Sequence, residues 1–271
     1  MPPTGSDTDG LAAFNTDAWS AGDYVGDYAE TKIKAEEAIL VARHRDALGG
    51  PVLELGCGPG RLTRILAALS DEVRAIDVSE RMVAACRRNV PGARVEVGDL
   101  RDLSKIGSTS TGAVVGAANV IDVLGDAERT AVLAEIHRIL RPGGLLLFST
   151  HNRAHLPLMR RPTRLIDPLT SPIPRSLARA VWNARRLPAR VANRRRTRLY
   201  ERSESGYAIV NDGAHDNRLA HYYIGRDAQQ RQLADAQLEL VDCLDLEGRA
   251  VGAGQEAPTS SALHYAARRA G

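Results

Sequence analysis

Three features of the 271-residue chain predict a doubly wound α/β fold with a mostly parallel sheet. Short apolar runs alternate with segments whose apolar residues recur at helical spacing. The joints between them are short and rich in glycine and proline. The most glycine-rich joint, Glu54-Leu55-Gly56-Cys57-Gly58-Pro59-Gly60, falls where a strand hands over to a helix. Strands and helices alternating in this way build a parallel sheet covered by helices on both faces.

Residues 1–15 are rich in Pro, Gly, Asp and Thr and read as a flexible lead. Residues 28–48 read as a helix, with Ile33, Ile39, Val41 and Leu48 set among charges, and Gly49-Gly50-Pro51 breaks it. A buried strand over 52–55 leads through the glycine turn into a helix over 59–69, where Leu62, Ile65, Leu66 and Leu69 share a face. A second strand over 73–78 is followed by Ser79, a good N-cap for a helix carrying Met82, Val83 and Cys86. Strands over 94–97 and 113–118 come next. A helix over 126–140 ends at Pro142-Gly143-Gly144, which turns the chain into a strand over 145–150. Residues 152–221 break the rhythm, with one or two short helices expected between Pro174 and Arg202. A helix over 226–237 and strands over 238–245 and 262–267 complete a sheet of seven strands. The expected organisation is a lead (1–15), a core with an N-terminal cap helix (16–151), an Arg-rich helical lid (152–221) and the completion of the core (222–271).

Apolar residues make up 44% and charged residues 25% of the chain, which excludes a collagen, a long coiled coil and a wholly disordered protein. Cys57, Cys86 and Cys243 have no paired spacing, so neither a disulfide framework nor a CxxC metal site is expected. Met1–Gly10 lacks the features of a signal peptide, and no apolar run approaches the roughly 20 residues that span a bilayer. A reduced, cytoplasmic setting is therefore expected. The formal charge of +3 hides an asymmetry: residues 153–202 hold 14 arginines, no lysine, and only Asp167 and Glu201 as acids. This block reads as a solvated amphipathic lid, with Val181, Trp182, Leu187 and Val191 turned to the body. The alternatives behind that reading are a site for an anionic small substrate, and a nucleic-acid or membrane surface. Aromatic interleaving is thin, with only Trp182 and Tyr200 in the block, which counts against nucleic acid.

The glycine turn excludes two nucleotide sites. A dinucleotide turn needs G-x-G-x-x-G, but its sixth position here is Arg61, and the chain has no G-x-x-x-x-G-K-[ST] phosphate loop. Val52 through Gly60 instead resembles motif I of the class I methyltransferases that use S-adenosylmethionine (SAM). The resemblance continues in Ala75-Ile76-Asp77-Val78-Ser79-Glu80-Arg81-Met82, in Gly98-Asp99-Leu100 and in Arg138-Ile139-Leu140-Arg141-Pro142-Gly143-Gly144. It covers about residues 50–150, with a weaker echo over 226–269. It implies a Rossmann-like sheet of seven strands, the last antiparallel, with SAM at the carboxyl ends of the strands. Gly56, Cys57, Gly58 and Gly60 would pass the backbone close to the methionine moiety. Asp77 would accept from both ribose hydroxyls, and Asp99 from the adenine amino group. The Leu100 N–H would meet the ring, with Val78 and Met82 on its faces. Glu54 and the backbone at Asn119 would face the ammonium end, and Tyr28 would line the pocket from the N-terminal side. Plainer readings are a turn residue for Asp77, a cap for Asp99, core packing for Met82 and Cys57, and a helix anchor for Tyr28.

Methyl transfer from a sulfonium is an in-line displacement, and a hydroxyl or carboxylic acid acceptor must first be ionised. His215, in the polar loop Asn211-Asp212-Gly213-Ala214-His215-Asp216-Asn217, is the leading candidate for a base or substrate contact, followed by His151, His221 and Tyr223. The alternative is a loop held by its own Asn and Asp side chains. No metal is implied, because no second cluster of ligands stands out along the chain. The expected activity is SAM-dependent methylation of an oxygen or nitrogen of a small-molecule acceptor in secondary metabolism, giving S-adenosylhomocysteine. The alternatives are a methyltransferase that meets a lipid or nucleic acid through the Arg-rich block, and a non-catalytic SAM-binding regulator.

Overall fold

The computed structural model describes residues 10–21, 24–26, 28, 32–159 and 186–271. In chain order its elements are α1 (Leu11–Ala21), α2 (Ala35–Arg43), β1 (Val52–Leu55), α3 (Thr63–Ala67), β2 (Val73–Asp77), α4 (Glu80–Asn89), β3 (Arg94–Val97), β4 (Thr111–Gly116), α5 (Asp126–Ile139) and β5 (Leu140–Asn152). There follow α6 (Leu156–Met159), α7 (residues 186–197), β6 (Arg202–Ser203), β7 (Tyr207–Val210), the one-turn α8 (Ala214–Asn217), β8 (His221–Ile224), α9 (Arg226–Asp235), β9 (Leu238–Leu244) and β10 (Ala262–Arg269).

The main sheet runs β3-β2-β1-β4-β5-β10-β9. Its first five strands are parallel, and the C-terminal β10 is antiparallel to both neighbours, as expected. Residues of β1 are all buried, and those of β5 from Gly144 to Thr150 likewise, as strands covered on both faces must be. Alternate residues of β5 feed two cores. Leu146 and Phe148 join Val132, Leu133 and Ile136 of α5 and Leu233 of α9, while Leu145 and Leu147 join Leu40 and Val41 of α2 and Leu66 of α3.

Four expectations need correction. Among the described residues the sheet has ten strands rather than seven, because 152–221 is not a purely helical lid: β6, β7 and β8 form an antiparallel set. Its inner member β8 pairs in parallel with β5 at His151↔Tyr223 and Asn152↔Ile224, on the edge that β4 vacates after Gly116. The stretch 1–15 is not all lead, since α1 begins at Leu11. Leu11 packs against Ile209, Tyr222 and Ile224, and the buried Asn15 amide donates to the carbonyls of Val123 and Ala220 at 2.8 and 2.9 Å. The helix over 28–48 is shorter, because the Glu37 carboxylate accepts from the Lys34 N–H (3.1 Å) and starts α2 at Ala35. The helix over 59–69 shrinks to α3, because Gly58 and Gly60 are left-handed (φ +53° and +96°) and keep the preceding residues in turns.

The lid helix has the right period but the opposite polarity. In α7 the inward residues are Arg186, Arg190, Asn193 and Thr197, while Leu187 and Val191 are 58% and 44% exposed. Arg186 and Arg190 pair with Asp216, the Asn193 amide donates to the Asp216 carbonyl (3.0 Å), and the Asn211 amide donates to Thr197 Oγ1 (2.6 Å). Polar contacts with the loop after β7 therefore dock this helix. Val181, Trp182 and the expected helix start near Pro174 lie outside the described residues.

Candidate active site

A cavity of about 360 Å³ opens at the carboxyl ends of β1, β2 and β4. The glycine turn forms its floor. Gly56 is left-handed (φ +66°), and a Cβ there would sit 2.3 Å from Val120 Cγ2; a Cβ on Gly60 would sit 3.0 Å from Cys86 Sγ. Tight packing therefore requires glycine at both positions. At Gly58 nothing lies within 4 Å, so the backbone there is open to a ligand. The Asp77 carboxylate stitches the turn to β2, accepting from the N–H groups of Gly58 and Ser79, each at 2.9 Å. Burial holds its carboxyl above the usual carboxylate range. Each of its oxygens keeps a further lone pair for another donor.

Among the described residues, two buried acceptor atoms on the cavity wall lack a hydrogen-bond partner: Glu54 Oε2 and Asn119 Oδ1. Glu54 is 2% exposed, and burial pushes its carboxyl up to about 8. The backbone of Asn119, expected to face the cofactor, is already engaged. Its N–H donates to Ser149 Oγ (2.9 Å), and its carbonyl accepts from the Asp122 N–H (3.0 Å). What Asn119 offers is its side-chain carbonyl. An orphaned carboxylate and amide oxygen beside an open glycine turn fit an ammonium group.

Val78, Met82 and Leu100 line the cavity together, as do Cys57 and Tyr28. Cys57 is 4% exposed, and its thiol donates to the Gly58 carbonyl at 3.5 Å. Asp99 also lines the wall, but Arg101 grips its carboxylate through Nε and Nη2 at 3.0 and 2.6 Å. Burial raises this carboxyl, and Arg101 outweighs that and holds it below the usual range.

The opposite end of the cavity carries two imidazole–carboxylate pairs. His151 Nδ1 lies 2.7 Å from Asp122 Oδ2, and His221 Nδ1 lies 2.8 Å from Asp212 Oδ2. The two imidazoles stack with centroids 5.0 Å apart. Asp122 is completely buried, and its Oδ1 accepts from the Thr150 hydroxyl and the Arg129 guanidinium, each at 2.6 Å. Arg129 is also completely buried; it donates to Gln229 (2.6 Å) and Gln232 (2.9 Å) and lies 4.7 Å over the Tyr222 ring. Burial raises the Asp122 carboxyl, but the Arg129 charge and the His151 bond more than reverse this and keep it ionised. Asp212 is likewise held low against burial, chiefly by His221.

The structure thus brings His151, His215 and His221 to one cavity but gives them different surroundings. His215 packs edge-on against Trp19 and Tyr24, with centroids at 5.0 and 4.5 Å, and its Nε2 lies 3.2 Å from the Tyr28 hydroxyl. Tyr223 does not reach the cavity wall. It is 1% exposed, packed among Leu156 and Ala208, and its hydroxyl donates to Asp212 Oδ2 (3.1 Å). Sequence reasoning missed Asp122, Arg129 and Trp19, and took Asp212 only as a loop residue. One available signal was Asp122 itself, an acid three residues past Asn119 on the turn after the fourth strand.

The fold is a Rossmann-like, doubly wound α/β sheet with the cavity at the carboxyl ends of its strands. Residues 52–144 match the family described as "Methyltransferase domain". The chain is 35% identical over 118 residues to the malonyl-[acyl-carrier protein] O-methyltransferase of Enterobacter lignolyticus, which covers 43% of this chain and 45% of that protein. It is 31% identical over 148 residues to the trans-aconitate 2-methyltransferase of Methylobacterium nodulans, covering 53% and 55%. The chain spans about half the length of the curated relatives it matches. The crystal structure of Burkholderia thailandensis 1,6-didemethyltoxoflavin-N1-methyltransferase, with its substrate and S-adenosylhomocysteine bound, has the same fold. Its TM-score is 0.61 at 15% identity, covering 100% of this chain and 94% of that one.

Proposed function

We propose that the protein transfers the methyl group of SAM to an ionised oxygen of a small-molecule acceptor. The carrying observation is that two imidazole–carboxylate pairs share one cavity with an open glycine turn. Glu54 and Asn119 hold the ammonium end of SAM, Asp77 the ribose hydroxyls, and Val78, Leu100 and Met82 the adenine. Asp99 reaches the adenine amino group while still held by Arg101. The acceptor enters against His151 and His221, and His215 with its aromatic neighbours closes the N-terminal side. Once the acceptor hydroxyl is ionised, its oxygen attacks the sulfonium methyl carbon. The C–O bond forms as the C–S bond breaks, and the electron pair stays on sulfur. Charge on both reactants is neutralised in the transition state, so a closed, water-poor cavity favours it.

A panel of phenols, enols, carboxylic acids and amines, incubated with labelled SAM, tests the reading. Methyl ethers or esters are the expected products, and turnover of amines alone would overturn the choice of oxygen. The Glu54 carboxyl makes a separate prediction. A group pushed up to about 8 is mostly protonated at about pH 7, and a cationic ligand favours its ionised form. SAM binding at about pH 7 therefore releases close to one proton. Calorimetry in buffers of differing ionisation heat measures this, and Glu54→Gln removes the release.

A further inference from the structure

We propose that His151, Asp212 and His221 form a site for a first-row divalent transition ion, and that this ion ionises the acceptor hydroxyl. The proposal rests on the methyltransferase reading above. The three side chains come from the end of β5, the loop after β7 and the start of β8, yet each places a donor atom within 4.8 Å of the other two. Along the chain they are too far apart to form a pattern; the pairing of β5 with β8 creates the cluster.

The local geometry suits an ion in three ways. His221 Nδ1 and Asp212 Oδ2 lie 2.8 Å apart, close to the spacing of about 3 Å between adjacent ligands on one ion whose bonds are about 2.1 Å. His151 gives Nδ1 to the buried Asp122, which leaves Nε2 as its ligand atom; a carboxylate behind a ligating imidazole fixes its ring and raises its basicity. The charges also leave room for a cation. Arg129 neutralises Asp122, whereas among the described residues the hydrogen bonds to Asp212 come from His221, Tyr223 and the Ala214 N–H, and none from an arginine or lysine. Two nitrogens and one oxygen favour zinc, cobalt, manganese or iron(II) over magnesium or calcium, which prefer oxygen sets.

Three protein ligands leave positions open for the acceptor. A hydroxyl bound there loses its proton to solvent more readily, as ion-bound water does. An acceptor with a second oxygen beside the hydroxyl would bind through both.

Co²⁺ tests this on the full chain, stripped with chelator and saturated with S-adenosylhomocysteine. The expected result is one Co²⁺ per chain with visible absorption bands. Affinity should fall about 100-fold in Asp212→Asn and His221→Gln, and about 10–100-fold in Asp122→Asn. S-adenosylhomocysteine should bind these variants as it binds wild type, which also shows that they fold. No bands, or equal Co²⁺ uptake by Asp212→Asn, overturns the metal site while cofactor binding keeps the methyltransferase reading. Failure of the wild type to bind S-adenosylhomocysteine overturns both.

Discussion

Asp77→Ala lowers affinity for SAM and S-adenosylhomocysteine by about 10²–10⁴-fold. This magnitude follows if, as proposed above, the carboxylate takes two charge-assisted hydrogen bonds from the ribose hydroxyls, each contributing about 1.5–3 kcal/mol. The variant also frees the Gly58 and Ser79 N–H groups, which now donate to this carboxylate at 2.9 Å. The turn loses its anchor to β2 at the point where the ligand must approach the backbone. Asp77→Asn keeps one acceptor oxygen and should fall between the two. Calorimetric titration decides the matter, with NADH as a control ligand. Unchanged SAM affinity in Asp77→Ala would remove the ribose assignment, and NADH binding to wild type would remove the cofactor assignment.

Arg129→Met destabilises the folded chain by about 3–5 kcal/mol, because it leaves the Asp122 carboxylate fully buried without its counter-charge. The loss extends beyond one ion pair, since Arg129 also donates to Gln229, Gln232 and Thr150. Asp122 in turn orients His151 through both the ring and the backbone N–H, at 2.7 and 2.6 Å. Urea unfolding measures the stability. The double variant Arg129→Met with Asp122→Asn should recover much of it, because the unpaired charge is gone. No recovery would mean that Arg129 acts through packing against Tyr222 rather than by compensating Asp122.

The core was legible because its chemistry is local. Parallel strands covered on both faces are continuous apolar runs, and a left-handed turn against Val120 demands glycine, so 52–55 and Gly56 announce themselves. Glu54, Asp77 and Met82 sit one turn or one strand from that signal. The end of the cavity that carries the two imidazole–carboxylate pairs was only half legible. His151, His215 and His221 could be singled out as rare polar aromatics, but their partners could not. Asp122 meets His151 only because the turn after β4 lies beside the end of β5. The strands β6 and β7 are two and four residues long and lie next to an arginine-dense stretch, so no period of two stood out. For α7 the helical period was real, but the stripe that contacts the body is Arg186, Arg190, Asn193 and Thr197, of which only Thr197 is fully buried. Hydropathy alone picks Leu187 and Val191, one position away on the outside.

The junction between β5 and β8 is only two residue pairs wide, His151↔Tyr223 and Asn152↔Ile224. The stretch from Arg153 to Ala220 leaves and rejoins the main sheet at that seam, and α1 braces β7 and β8 beside it. Replacing this segment with the corresponding stretch of another methyltransferase should redirect acceptor choice and leave SAM binding intact, provided the two pairs keep their register. A graft shifted by one residue would turn the β8 side chains to opposite faces and carry His221 away from the cavity it now lines. For anyone re-engineering this scaffold, the length of the graft therefore matters more than its composition.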